Sequence, residues 1–281
     1  MQLGQIKVDG STLAAVFEQG LARPIPHHTM LDLIRRAQLQ DVPLPTLAAQ
    51  LASRHAEPHS PVLPVNPPEV WACGCTYEAS ASFGDAEQGA GQGLYASACR
   101  QPRPEVYLKG TARVCVATGQ AIGIRSDSQF TAPEPELAVV LGNRGRIMGY
   151  TLGNDVSAWD IELENPLYLA QSKIYDAACA LGPVMLTADQ LPDPYRLEMT
   201  CTIARGGTTL FSGAMNTSAL RRKLDTLIEF LTRSNHVPSG TVLLTGTGII
   251  VPREAALVPG DVVTIAVPEF GELVNPVALV G

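Results

Sequence analysis

Pro133-Glu134-Pro135-Glu136-Leu137 and, shortly after it, Gly149-Tyr150-Thr151-Leu152-Gly153-Asn154-Asp155 read as two neighbouring strands sharing an acidic end. Side chains at i and i+2 of a strand point to one face, so Glu134 and Glu136 converge on one point. Pro133 and Pro135 favour extended backbone and suit an edge or bulged segment rather than a sheet centre. Val139, Val140 and Leu141 continue as the apolar run of a buried strand. Adjacent carboxylates repel unless they are protonated or share a cation. With Asp155 as a third carboxylate and no His nearby, the donor set suits a hard divalent ion, Mg²⁺, Mn²⁺ or Ca²⁺, over Zn²⁺ or Cu²⁺. The same spacing also suits solvated strand-edge charges that blunt aggregation, so spacing alone leaves both readings open.

Outward from this core, 281 residues suffice for one large domain plus a small one, and 46% apolar with 17% charged residues is globular composition. A formal charge of −7 argues against sequence-independent nucleic-acid binding, which needs a basic surface. No apolar run reaches the roughly 20 residues of a membrane span, and Met1–Lys7 lacks the pattern of a secretory signal. The six cysteines form no Cys-x-x-Cys pair, and Cys75, Cys115, Cys179 and Cys201 sit in apolar segments and read as small core residues, as expected of a cytoplasmic protein. The histidines at 27, 28, 55, 59 and 236 all lie outside the motif region, which leaves Ser-His-Asp or Cys-His catalysis without support.

Residues 1–65 read as a small N-terminal domain, with strands at Ile6–Val8 and Leu13–Val16. Met30, Leu33, Ile34 and Ala37 then recur at helical spacing over Met30–Leu39, and a shorter helix is expected near Thr46–Ser53. The Pro-rich stretch 56–68 reads as a linker. From 66 to 281 the pattern is β-rich, with runs at Val70–Cys75, Glu105–Lys109, Leu137–Leu141, Ile147–Asp155, Leu197–Arg205, Val242–Thr245 and Val262–Val267. One helix is expected at Ser218–Arg233, capped by Thr217 or Ser218. The glycine-rich stretch 84–93 reads as a plain flexible loop or as a lid that orders over substrate.

Gly153-Asn154-Asp155, Gln171-Ser172-Lys173-Ile174-Tyr175-Asp176, Gly182-Pro183 and Gly246-Thr247-Gly248 follow the Glu-x-Glu pair in order. Together they resemble the fumarylacetoacetate hydrolase superfamily over about residues 68–281. The resemblance implies an α+β, mostly β fold, a β-sandwich roll with flanking helices. It also implies a metal on Glu134, Glu136 and Asp155, and a homodimer or homotetramer. Within the superfamily, Thr76–Ser80, Glu164–Leu169 and Lys173–Asp176 are similar to the 2-keto-3-deoxy-D-arabinonate dehydratases. Hydrolytic relatives carry a Tyr-x-x-His with a Glu three residues on. Here Ser80 and Phe83 stand at those positions, which counts against hydrolysis by that route.

The implied reaction is dehydration of a 2-keto-3-deoxy pentonate to 2,5-dioxopentanoate through a metal-stabilised enolate. The resemblance makes Lys173 the leading catalytic group, as a neutral base or as an ammonium that stabilises the enolate; otherwise it is a surface lysine. Glu105 is a candidate acid for the departing hydroxyl, or a solvated strand-start charge. Lys109, Thr247 and Ser80 are candidates for binding the 2-oxo acid; Lys109 otherwise ends a strand in solvent, and Thr247 otherwise lies in a plain turn. Rival readings are hydrolysis of an acylpyruvate, decarboxylation of oxaloacetate, or a non-catalytic sugar-acid binding protein.

Overall fold

The computed structural model describes residues 1–78, 82, 86 and 93–281. Two sheets face each other across an apolar core. The larger has ten strands and runs in the order Leu21–Ile25, Ser11–Glu18, Gln2–Val8, Cys179–Thr187, Ile147–Asp155, Pro135–Leu141, Val242–Leu244, Val70–Gly74 and Glu105–Gly110, with Cys115–Val116 beside Cys179–Thr187. The smaller has five, in the order Thr208–Asn216, Glu198–Arg205, Val262–Val267, Gly271–Val280 and Ile122–Arg125. This is the mostly β, helix-flanked sandwich that the resemblance implies.

Pro135–Leu141 shows why its sequence is apolar without alternation, for it is buried along its whole length. Its odd residues Leu137, Val139 and Leu141 pack with Ile203, Val263 and Ile265 of the smaller sheet. Its even residues Ala138 and Val140 pack with Leu33, Ile34 and Leu47 of the N-terminal helices. A strand covered on both faces has no polar side to show, and each buried Leu or Val stabilises by about 1.5–3 kcal/mol. The even face continues past Ala138 to Glu136 and Glu134, so the acidic cluster sits at the end of a packed face.

The helix Met30–Leu39 buries Met30, Leu33, Ile34 and Ala37, the stripe expected from their spacing. Thr29 caps it: its hydroxyl accepts from Asp32 N–H (3.2 Å), and the Asp32 carboxylate accepts from Thr29 N–H (3.1 Å). The second helix spans Leu44–Leu51, two residues earlier than expected at both ends, because Pro45 suits a first turn. The N-terminal strands extend the larger sheet through Gln2–Val8, which pairs antiparallel with Cys179–Thr187.

Two expectations need correction. The strand that begins at Pro135 is not at an edge; it lies between Ile147–Asp155 and Val242–Leu244. Proline is tolerated because it opens the strand, and Val242–Leu244 reaches only as far as Ala138. The C-terminal helix spans Leu224–Thr232, not Ser218–Arg233, and has no side-chain cap. Tertiary hydrogen bonds draw the preceding residues out of it. The Thr217 hydroxyl accepts from Leu197 N–H (2.9 Å), Arg221 N–H donates to the Thr76 carbonyl (3.0 Å), and the Arg222 guanidinium donates to the carbonyls of Ala98, Cys99 and Gln101. All six cysteines are free thiols. Among the described residues, no helix is long and apolar enough to cross a membrane.

Candidate active site

Register builds the acidic cluster. Pro135–Leu141 and Ile147–Asp155 pair antiparallel with Gly153 opposite Glu136 and Asn154 opposite Pro135. One step further, Asp155 N–H donates to the Glu134 carbonyl (3.0 Å), and Glu134 N–H donates to Asn154 Oδ1 (3.0 Å). Glu134, Glu136 and Asp155 therefore share a face. One oxygen from each lies within 4.8 Å of the others, and all three residues are buried.

Each carboxylate has donors from a different element. Glu136 Oε2 accepts from Gly246 N–H at 2.5 Å. Gly246 sits at φ +91°, and a Cβ there would lie 1.9 Å from the Thr76 hydroxyl oxygen, so the first glycine of Gly-Thr-Gly is sterically required. Glu134 Oε1 accepts from Lys173 Nζ at 2.8 Å, and the same ammonium donates to Ser157 Oγ at 2.6 Å. Asp155 pairs with Lys109 through Oδ1 and accepts the Tyr107 hydroxyl at 2.6 Å through Oδ2.

These neighbours split the three acids. Burial, with Asp155 and Glu134 close by, pushes Glu136 well above the ordinary carboxylate range. Burial raises Glu134 too, against the pull of Lys173. Burial also acts upward on Asp155, but Lys109, Lys173 and the Tyr107 hydroxyl outweigh it and hold that carboxyl low. For Lys173 burial acts downward, yet Asp155, Glu134 and Glu162 outweigh it and keep the ammonium well above its usual value.

The cluster opens into a cleft lined by Cys73, Gly74, Cys75, Tyr95, Glu105, Tyr107, Glu134, Trp159, Glu162, Leu169, Lys173, Gly246 and Thr247. Of the residues singled out from sequence, it brings together Glu134, Lys173, Glu105 and Thr247. Glu105 lies over Gly74, its cross-strand partner, where a Cβ would meet the carboxylate at 2.0 Å. Burial raises the Glu105 carboxyl. The Thr247 hydroxyl accepts from Ile249 N–H (3.2 Å).

Lys109 is placed differently from the expectation. Its side chain is 0% exposed, its ammonium donates to the Val156 carbonyl (3.0 Å) and pairs with Asp155, and it stands behind that carboxylate without lining the cleft. Ser80 and Phe83 lie outside the described residues, as does all of 84–93 except 86 and 93.

Four site residues were missed from sequence. Tyr107 was within reach, because it sits at i+2 between Glu105 and Lys109 on the same strand face. Ser157 and Trp159 lie just past the Asn-Asp motif. Glu162 is 7% exposed, 3.9 Å from the Lys173 ammonium, and accepts from Tyr95 and Ser172 hydroxyls at 3.4 Å each. It lies on the six-residue helix Trp159–Glu164, too short to carry a periodic signal.

The chain is similar to known proteins in sequence and in fold. Over 217 residues the chain is 46% identical to 2-dehydro-3-deoxy-D-arabinonate dehydratase of Saccharolobus solfataricus, covering 76% of this chain and 73% of that one. Over 263 residues it is 41% identical to a probable 2-keto-3-deoxyxylonate dehydratase of Haloferax volcanii, covering 90% and 89%. A solved structure of 2-keto-3-deoxy-D-arabinonate dehydratase complexed with magnesium and 2,5-dioxopentanoate matches with a TM-score of 0.84 at 35% identity, covering 100% of this chain and 99% of that one. Residues 70–278 match the fumarylacetoacetate hydrolase C-terminal family, and the chain belongs to it.

Proposed function

We propose that this chain is a divalent-metal-dependent hydro-lyase that converts a 2-keto-3-deoxy pentonate into 2,5-dioxopentanoate. The observation that carries the proposal is the convergence of Glu134, Glu136 and Asp155 on one point, with Lys173 beside them at the floor of a cleft. The magnesium and 2,5-dioxopentanoate in the related dehydratase structure support the choice of ion and product. The donor set fits such an ion, being all carboxylate oxygen, buried, and in excess over its two lysines. Mg²⁺ is the first choice, with Mn²⁺ and Ca²⁺ as substitutes. When bound, it supplies Lewis-acid polarisation of the 2-oxo group, so that negative charge develops on that oxygen.

The protein's own groups do the rest. Lys109 and Tyr107 fix the Asp155 carboxylate from behind. Ser157 and Glu134 aim the Lys173 ammonium at the cleft. With Glu134 and Asp155 engaged by an ion, the pull that holds Lys173 protonated would relax; its amine is then assigned the C3 proton and, as the ammonium it becomes, faces the charge that the loss creates. Glu105 is assigned delivery of a proton to the C4 hydroxyl, which leaves as water. Burial shifts Glu105 upward, the direction a general acid needs. Hydrogen then moves from C5 to C3, and the resulting enol closes to the C5 aldehyde. Thr247, at the cleft wall, is assigned to the substrate carboxylate. A cytoplasmic homo-oligomer completes the proposal.

A ¹H NMR time course with Mg²⁺ and a panel of 2-keto-3-deoxy acids and acylpyruvates tests it. An aldehyde signal from a pentonate is expected. Pyruvate from an acylpyruvate, with no aldehyde from any pentonate, would replace the dehydratase by a C–C hydrolase.

A further inference from the structure

The cleft does not stop at the triad. It runs on into a second hollow of ≈ 230 Å³ that shares Cys75, Tyr95, Glu105, Glu162 and Leu169 with the first. A 2-oxo acid whose head lies at the triad would send its distal carbons this way. What lines the path is acidic: Glu105 and Glu162 both lie near Lys173, burial raises both carboxyls, and Glu105 raises that of Glu162 further. Lys173 is the one cationic side chain among the described residues lining the two hollows.

Five carboxyl groups (Glu105, Glu134, Glu136, Asp155 and Glu162) therefore surround two ammonium groups, Lys109 and Lys173. A divalent ion brings this set close to neutrality, and the substrate's own carboxylate makes it negative again. A second carboxylate on the substrate would then enter an acid-lined hollow in which no described residue offers a further cation. Like charges in such surroundings repel far more strongly than in water. A hydroxyl behaves in the opposite way, since each carboxylate oxygen accepts its hydrogen.

We infer that Glu162 sets substrate specificity by accepting hydroxyl hydrogens from a neutral tail and repelling a second carboxylate. This rests on the reading of the triad as a 2-oxo acid site and adds what that reading leaves open, the chemistry of the tail. Exclusion by a repulsive group is an efficient route to specificity, because the unwanted ligand has nowhere to place its charge.

Calorimetric titration in Mg²⁺ buffer tests it with three probes: oxalate, which has no tail; 2-oxovalerate, with an uncharged five-carbon chain; and 2-oxoglutarate, which replaces its terminal methyl by a carboxylate. The wild-type protein is expected to bind 2-oxovalerate at least about 10-fold more tightly than 2-oxoglutarate. Glu162→Gln is expected to tighten 2-oxoglutarate by about 10-fold, leave the other two within about 2-fold, and raise KM for a 2-keto-3-deoxy pentonate more than it lowers kcat. Equal wild-type affinities for the two five-carbon acids, or a ratio that Glu162→Gln does not change, overturns the inference. The wild-type comparison stands even if the variant fails to fold. Failure of oxalate to bind at all removes the triad reading, and this inference with it; oxalate binding without tail discrimination removes the inference alone.

Discussion

Asp261, beside the strand Val262–Val267 of the smaller sheet, and Asp155, at the end of a central strand of the larger one, are both 0% exposed. Around Asp261 the charge is closed. Arg205 donates to its two oxygens at 2.8 and 2.9 Å, and Val258 N–H adds a third bond at 2.9 Å. One aspartate meets one arginine, and the surrounding core needs nothing further. Around Asp155 the charge is open: beyond Lys109, the nearest cation is Lys173, which serves Glu134 and Glu162 as well. A buried carboxylate with a dedicated partner holds structure together. A group of carboxylates in excess over its cations holds free energy that a divalent ion releases on binding.

The largest effect is expected from the open cluster. Glu136→Gln should lower turnover by about 10³-fold or more, the loss of several kcal/mol of charge stabilisation. Its melting temperature should stay level or rise, because one repelling carboxylate is gone; a calorimetric scan showing collapse would make the cluster structural and erase the contrast. Next, Lys173→Met should cost about 10²-fold or more in turnover while Mg²⁺ still binds by titration calorimetry. Turnover near wild-type would take Lys173 out of the chemistry.

Smaller but sharper is the response to Mg²⁺ itself, which at 100 times its Kd should add about 2.7 kcal/mol of stability. The sign of its pH dependence follows from Glu134 and Glu136, whose folded-state values are raised by burial. The folded protein then holds more protons than the unfolded one, so metal-free stability falls as pH rises above the ordinary carboxylate range. The ion competes with those protons, so the thermal shift at one fixed Mg²⁺ concentration should grow as pH rises above the ordinary carboxylate range. A shift that shrinks instead would place the ion elsewhere.

The closed pair gives the smallest effect. Burial acts upward on Asp261, but Arg205 and Val258 N–H outweigh it and hold the carboxyl low. Its contribution is complete above about pH 4 and is lost as pH falls through the lower folded value. Asp261→Asn should therefore cost about 1–2 kcal/mol at pH 7, discounted for the partly solvated Arg205, with turnover unchanged. Urea denaturation at pH 7 and pH 3 should show the gap between variant and wild type closing in acid.

What was legible in the sequence follows the same divide between local and distant causes. Glu134, Glu136 and Asp155 were readable because strand periodicity fixes faces, and Met30–Leu39 because four apolar positions fix a stripe. The motif order carried the sandwich itself. Lys109 was misplaced because periodicity gives a face but not a depth; only the Asp155 and Val156 contacts show that it stands behind the site. The late start of Leu224–Thr232 was hidden because Arg221 and Arg222 bond to carbonyls far away in sequence. The strands Cys179–Thr187 and Gly271–Val280 passed unread because Pro183 and Pro276 interrupt them, and pairing on both sides holds them extended.

The Gly246 N–H carries one more consequence. By engaging Glu136 Oε2 it fixes the orientation of that carboxylate, and Lys173 does the same to Glu134. An incoming ion would thus meet carboxylates already held in place, less free to swing into the chelating pairs that fill the large, irregular shell of calcium. A small octahedral ion that keeps some of its own water is better matched to such a site. Ion preference here is set in part by a backbone amide that never touches the metal.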